Sequence, residues 1–223
     1  MKLVHPELEG QIIFDDQNPC QWVIESPKDY SAYVKELFSQ IEGNEGRFVL
    51  SEGEKEKDIC KCMEIIFNPF SISINDRKIL NKLYSELSEL SSDEEMYMET
   101  QEMKNNLQAY FLKLEHVSPY ILETDIEIDI MAILKAIGVR FSDYSDDFIL
   151  NLNQYIKLMA ELMRKKVVVL INIGSYVTYE QLEQVIKNAA YNEIALLMIE
   201  NVQKKLPEKV YQYIIDKDSC EIF

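Results

Sequence analysis

The stretch Lys165-Lys166-Val167-Val168-Val169-Leu170-Ile171-Asn172-Ile173-Gly174 constrains the fold more than any other. Val167 to Ile171 is an unbroken β-branched and aliphatic run. A strand wet on one face alternates apolar and polar side chains; a strand covered on both faces reads like this one. Gly174 and Ser175 break the run. Thr178 then predicts a helix N-cap, with Gln181 three residues on completing a capping box. Leu182, Val185 and Ile186 give the helix over 179–188 an apolar stripe, and a second buried strand is predicted at 194–199. Strand, helix and strand in this spacing make a βαβ unit, so an α/β fold with a parallel sheet flanked by helices is expected.

The 223 residues suffice for one large or two small domains, and 47% of them are hydrophobic, enough for a core. Only 6 Gly and 6 Pro argue against a disordered chain. The net charge of -16 argues, by itself, against binding DNA or an anionic membrane. No run approaches a membrane span and the start lacks a signal-peptide core, so a cytoplasmic location is expected. Cys20, Cys60, Cys62 and Cys220 lack paired metal spacing and read as reduced thiols. His5 and His116 alone argue against a His-rich zinc site or a Ser-His-Asp triad.

Residues 1–68 read as mostly strands with one helix. Short strands are expected at 11–15 and 21–25, around an Asp16-Gln17-Asn18-Pro19 turn. Ser26 caps a helix beginning at Pro27 and ending at Gly43. A strand at 48–50 precedes Glu52-Gly53-Glu54-Lys55-Glu56-Lys57-Asp58, read as a solvated loop, and 60–67 is a strand by preference. The character changes at Asn68-Pro69. Asn75 is a plausible cap for a helix with Leu80, Leu83, Tyr84, Leu87 and Leu90 on one face. Ser91, Ser92 and Asp93 break it and cap a second helix, which Pro119 ends. A third helix is expected at 126–137, closed by Gly138, and a fourth at 148–164. The expected domains are an α/β head from 1–68 and 160–223 and a helical leg from 69–159.

A buried parallel sheet invites a nucleotide reading, which the residues do not support. A phosphate loop needs glycines, so that backbone N–H groups wrap the phosphates, and a Lys-Ser/Thr pair. The first strand-to-helix turn, Glu25-Ser26-Pro27-Lys28-Asp29-Tyr30, has no glycine and carries two acids. Asn172 and Ile173 stand where a magnesium-binding carboxylate should close the central strand. Glu123, Asp125, Glu127 and Asp129 are the remaining sharp feature. Packed carboxylates can hold a hard cation such as calcium; an acidic helix N-terminus, favoured by the macrodipole, is the plainer reading and the preferred one on residues alone. Lys55, Lys57 and Lys61 share one loop, and Lys204, Lys205 and Lys209 lie near the end; each reads singly as a solvated charge.

The order of features resembles a known family. A head without its phosphate loop, an inserted leg, an acidic hinge before Ile130-Met131-Ala132-Ile133-Leu134-Lys135, and a long helix running into 165–178 together look like the subtype II-A CRISPR-associated ring proteins of spacer acquisition, the "Csn-two" family. The resemblance spans nearly the whole chain, is strongest over 126–200 and weakest over 80–114. It implies a P-loop-ATPase-like head with a parallel-rich sheet and a degenerate nucleotide site, no enzymatic activity, and a ring-shaped homotetramer. It further implies that the ring threads double-stranded DNA from free ends without sequence preference. Calcium would sit at the head–leg junction, which matches Glu123, Asp125, Glu127 and Asp129. The partners implied are the CRISPR integrase and the RNA-guided effector nuclease. Within such a ring, Lys28, Lys55, Lys57 and Lys61 are the expected phosphate contacts of the inner wall. Two rival readings are a divergent P-loop nucleotide-binding enzyme and an acidic helical scaffold without DNA contact.

Overall fold

A computed structural model describes residues 1–14, 19–125, 127–142, 147–207 and 210–222. The chain forms two compact units: Met1–Ile74 with Asp143–Phe223, and Asn75–Ser142.

The first unit holds two sheets. Strands β1 (Lys2–Val4), β2 (Ile12–Ile13), β4 (Val49–Glu52) and β5 (Lys55–Lys57) form an antiparallel sheet in the order β2-β1-β4-β5. Strands β3 (Cys20–Ile24), β6 (Met63–Ile66), β7 (Val167–Ile171), β8 (Ala195–Glu200), β9 (Tyr211–Ile215) and β10 (Glu221–Ile222) form the larger sheet, ordered β10-β9-β3-β8-β7-β6. All its pairings are parallel except β10 with β9. It is therefore a mixed sheet with a parallel centre. Every residue of β3, β7 and β8 is buried, as the unbroken apolar run requires.

Side chains alternate across a strand, so each face of this sheet has its own core. Trp22, Ile24, Val167, Val169, Leu197 and Ile199 pack with helix α1 (Pro27–Ile41) and the small sheet. Ser26 caps α1 and Gly43, at φ 93°, ends it. Val168, Leu170, Leu196 and Met198 occupy the opposite face, with buried residues of α6 (Phe148–Glu161) and α7 (Tyr179–Tyr191). Thr178 and Gln181 form the predicted capping box. The α6 face bearing Leu152, Ile156 and Met159 is buried, and Tyr155 donates to Glu64 at 3.1 Å. This helix belongs to the first unit, whereas the sequence reading places it in the leg segment 69–159.

Two further differences lie in this unit. The expected loop 52–58 is a hairpin, with Glu52 opposite Lys55 across a turn where Gly53 takes φ 61°. Its Lys-Glu-Lys strand shows no apolar alternation because it is a solvated edge, and charge on an edge strand discourages further pairing. Residues 60–67 are not all strand: Asp58 caps the short helix α2 (Ile59–Cys62), and β6 follows. The predicted turn at Asp16–Asn18 lies outside the described residues.

The second unit contains α3 (Arg77–Leu90), α4 (Tyr97–Val117) and α5 (Ile130–Ala136). Asp76 caps α3 rather than Asn75, whose amide instead clips Phe141, donating to its carbonyl at 3.1 Å and accepting its N–H at 2.9 Å. Tyr84 donates to Val139 O at 2.8 Å, and the Lys135 ammonium lies 5.8 Å from the Tyr84 ring centroid. Ser91 closes α3; Asp93 receives the Met96 and Tyr97 N–H groups on its backbone carbonyl, so α4 starts without a side-chain cap. The third helix is shorter than the expected 126–137. Asp129 caps it, and Gly138 at φ 72° follows its end.

Candidate functional site

The two ends of the parallel strands carry different chemistry. At the C-terminal end of β3, Ser26 accepts the Asp29 N–H at 3.4 Å and Asp29 accepts the Ser219 hydroxyl at 2.9 Å. A carboxylate thus occupies the first turn of α1, where the helix dipole would otherwise favour a phosphate. At the end of β7, Asn172 takes φ 51°, a left-handed conformation that Asn tolerates better than most residues. Its amide donates to the Tyr30 hydroxyl at 2.9 Å and accepts the Asn201 N–H at 3.3 Å. Burial and the charge of Glu200 raise the Tyr30 pKa. An amide knitting three chain segments together stands where metal–phosphate chemistry needs a carboxylate, and among the described residues no glycine-rich phosphate loop surrounds it.

The N-terminal end is basic. A cavity of about 470 Å³ is lined by Lys57, Lys61, Arg164, Lys165 and Lys166, with Glu52 as the acidic member. A second cavity, also about 470 Å³, shares Arg164, Lys165 and Lys166. Lys57 pairs with Glu52 at 2.7 Å, which raises the lysine pKa and lowers that of the glutamate. Lys61 is 83% exposed and lies 3.5 Å from Asp58. Lys165 is held inside the fold. Its ammonium donates to Cys60 O and Met63 O, both at 2.7 Å, and sits 3.6 Å from Glu64. Those bonds tie the start of β7 to α2 and β6. Arg164 and Lys166 are exposed on either side of it.

The structure therefore brings Lys57 and Lys61 together and adds Arg164 and Lys166, which the sequence reading passed over. Their one sequence signal was the basic run heading the central strand. Lys55 sits on the same hairpin as Lys57, opposite Glu52. Lys28 does not join them: it lies in the first turn of α1, beyond the C-terminal end of β3, whereas Lys61 and Lys166 precede the parallel strands β6 and β7. A five-residue strand separates these ends by roughly 17 Å.

The acidic segment belongs to the second unit. Glu123, Asp125, Glu127 and Asp129 are all exposed, and Asp129 accepts the Met131 N–H at 2.9 Å as the α5 cap. Among the described residues, no three His, Cys, Asp or Glu side chains converge to hold a metal ion. The oxygen donors suit calcium by type, but the single chain does not gather them. Asp129 at the helix start fulfils the plainer expectation of a capping acid.

Among the described residues no helix is long and apolar enough to cross a membrane. The family model for "CRISPR-associated protein (Cas_Csn2)" matches residues 40–219, from the end of α1 to beyond β9. The chain belongs to this family. A CRISPR-associated protein Csn2 from Streptococcus agalactiae is 25% identical over 224 aligned positions, covering 98% of this chain and 96% of the relative. Another, from Enterococcus faecalis, is 21% identical over 193, covering 84% of each. Cas_Csn2 proteins are non-enzymatic proteins of CRISPR adaptation.

Proposed function

We propose that this protein is a ring-shaped homotetramer that binds the ends of double-stranded DNA without sequence preference during spacer acquisition. It acts in the cytoplasm beside the CRISPR integrase and the RNA-guided effector nuclease. In this reading the first unit is a P-loop-ATPase-like head whose nucleotide site has degenerated, and the second is its inserted leg. The observation that carries the proposal is the convergence of Lys57, Lys61, Arg164 and Lys166 at one sheet edge of a chain with net charge -16. A duplex is repelled at long range by such a chain unless the charge is segregated. A ring segregates it, repeating one basic edge by symmetry toward a shared hole. Lysine and arginine contacts to phosphate give affinity without reading bases. Lys55, on the same hairpin, joins this wall; Lys28 contributes only where the opposite edge also meets DNA.

Calcium is proposed to bind through Glu123, Asp125, Glu127 and Asp129 in the assembled form, where it neutralises carboxylates that repel one another. Because the isolated chain does not gather these groups, calcium affinity and assembly are coupled. An ion that binds only the assembled native form raises its apparent stability by mass action.

Threading through a hole requires a free end. A gel shift with and without calcium should retard linear duplex and leave a relaxed closed circle of the same sequence free. Equal affinity for both forms at matched salt would replace threading by surface binding. No shift with either form favours the acidic-scaffold reading.

A further inference from the structure

Helices α6 and α7 both end at the N-terminal edge of the parallel strands. Arg164, at φ 57°, and Glu193, at φ 54°, lie in the left-handed region within the turns that lead into β7 and β8. Tyr191 is the last residue of α7 and is 87% exposed, more than any other aromatic residue among those described. It lines the second of the two cavities at this edge, which adjoins the more basic one through Arg164, Lys165 and Lys166. The strand starts therefore carry a row of cations with an accessible aromatic ring at one end.

Charge is divided unevenly along this row. Glu161, which pairs with Lys157 at 3.8 Å, and Glu193 line the cavity of Tyr191 and not its neighbour. The negative ends of α6 and α7 lie on the same side. Phosphate is thus disfavoured beside the ring. It is favoured at Arg164, Lys166 and Lys61, all exposed, whereas Lys165 and Lys57 are already engaged by Glu64 and Glu52. The ligand that fits this division carries an uncharged aromatic face next to phosphate groups. Bases paired in a duplex offer only their edges in the grooves. An unpaired base offers its face and brings its phosphates with it.

We propose that the unpaired nucleotides of a single-stranded overhang at a duplex end lie along this edge, with a base stacked on Tyr191 and the adjoining phosphates on Arg164, Lys166 and Lys61. The inference rests on the reading that the basic edge faces DNA, and adds the form of end that this edge prefers. Every base has a face to stack, so the preference is for an overhang and not for a sequence.

Fluorescence anisotropy of the full-length protein tests this, with linear duplexes of equal paired length that are blunt or carry a short oligothymidine overhang. The overhang should tighten binding about tenfold, and Tyr191→Ala should remove most of that gain while leaving blunt-duplex affinity unchanged. Tyr191→Phe should keep the gain, because the ring face rather than the hydroxyl makes the contact. Neither change should disturb the fold at so exposed a position. A fluorescent adenine analogue in the overhang should be quenched on binding the wild type or Tyr191→Phe, but not Tyr191→Ala. Equal affinity for blunt and overhanging duplexes, a gain that survives Tyr191→Ala, or an equal loss of blunt and overhanging duplex in that variant overturns the proposal and leaves the DNA-binding reading standing. No binding of either duplex overturns both.

Discussion

The two units bury their apolar residues to very different degrees. The first encloses Trp22, Leu37, Leu50, Val169 and Leu197 completely, each at 0% exposure. The second contains the longest helix, α4, of which Thr100 is the one buried residue, while Met98, Leu112 and Val117 stand 72%, 61% and 77% exposed. A helix draws most of its stability from packing an apolar face, and large exposed apolar patches usually mark interaction surfaces. The first unit is thus complete within one chain, whereas the second leaves much of the apolar surface of α4 exposed. Substitutions should therefore separate folding from assembly.

The largest effect is expected in the first unit. Trp22 stacks on Tyr213, with ring centroids 6.1 Å apart and planes 8° from parallel, and also packs against Tyr33 and Phe48. Trp22→Ala should cost about 3–5 kcal/mol in denaturant melts, from lost burial plus the cavity left behind. A loss below about 1 kcal/mol would undo the contrast by showing that this core is loosely packed.

In the second unit the same class of change should act on assembly. If the proposed tetramer forms through α4, Leu112→Glu with Val117→Glu should shift the elution volume to smaller species. The fold of the single chain should lose no more than about 0.5 kcal/mol per site, as usual for exposed positions. An unchanged elution volume would show that α4 does not form the contact.

Within the first unit, the sheet edges supply a finer comparison. Replacing Lys57, Lys61, Arg164 and Lys166 by alanine should weaken linear-duplex binding and flatten its salt dependence. The slope should fall by about 0.9 for each phosphate contact removed. Lys28→Ala, at the other edge, should leave the slope where it was. If Lys28 alone moves it, the DNA-facing edge is the C-terminal one.

Much of the first unit was legible because its signals are local. The run Val167–Ile171, the Thr178 box and the Ser26–Pro27 helix start appear where pattern and capping place them. What was missed depends on partners distant in sequence. The strand Tyr211–Ile215 is short, and becomes a strand by pairing with β3. The Lys55–Lys57 strand has no apolar face to betray it. Helix 148–161 has the same helical pattern in either unit, and only its buried contacts assign it. Arg164 and Lys166 meet Lys61 because Lys165 reaches the carbonyl of Cys60, 105 residues earlier, a contact that no spacing rule foresees. The acidic segment was legible as a helix start through Asp129, but its other carboxylates act on nothing within the described chain.

The smallest effects concern two carboxylates of the first unit with opposite titration. Arg47 donates to Glu36 at 2.8 Å and 3.1 Å, and these hydrogen bonds hold the Glu36 pKa down at about 2, from an ordinary 4.5. The folded state binds this proton less readily than the unfolded one. Its contribution is therefore present above pH 4.5 and lost as pH falls toward 2. Glu200 is the reverse case. Burial raises its pKa above 4.5, with the Gly174 N–H and Lys204 opposing the rise. Its folded state holds a proton that the unfolded chain has released, so its contribution is full below pH 4.5 and falls as pH rises through the raised value. Thermal melts between pH 2 and 8 should then diverge: Glu36→Gln lowers the melting temperature at neutral pH and converges on the wild type toward pH 2, whereas Glu200→Gln raises it at neutral pH and converges below pH 4.5. If Glu200→Gln instead lowers the neutral melting temperature, the ionised carboxylate is held by the Gly174 N–H and Lys204 strongly enough to outweigh its burial.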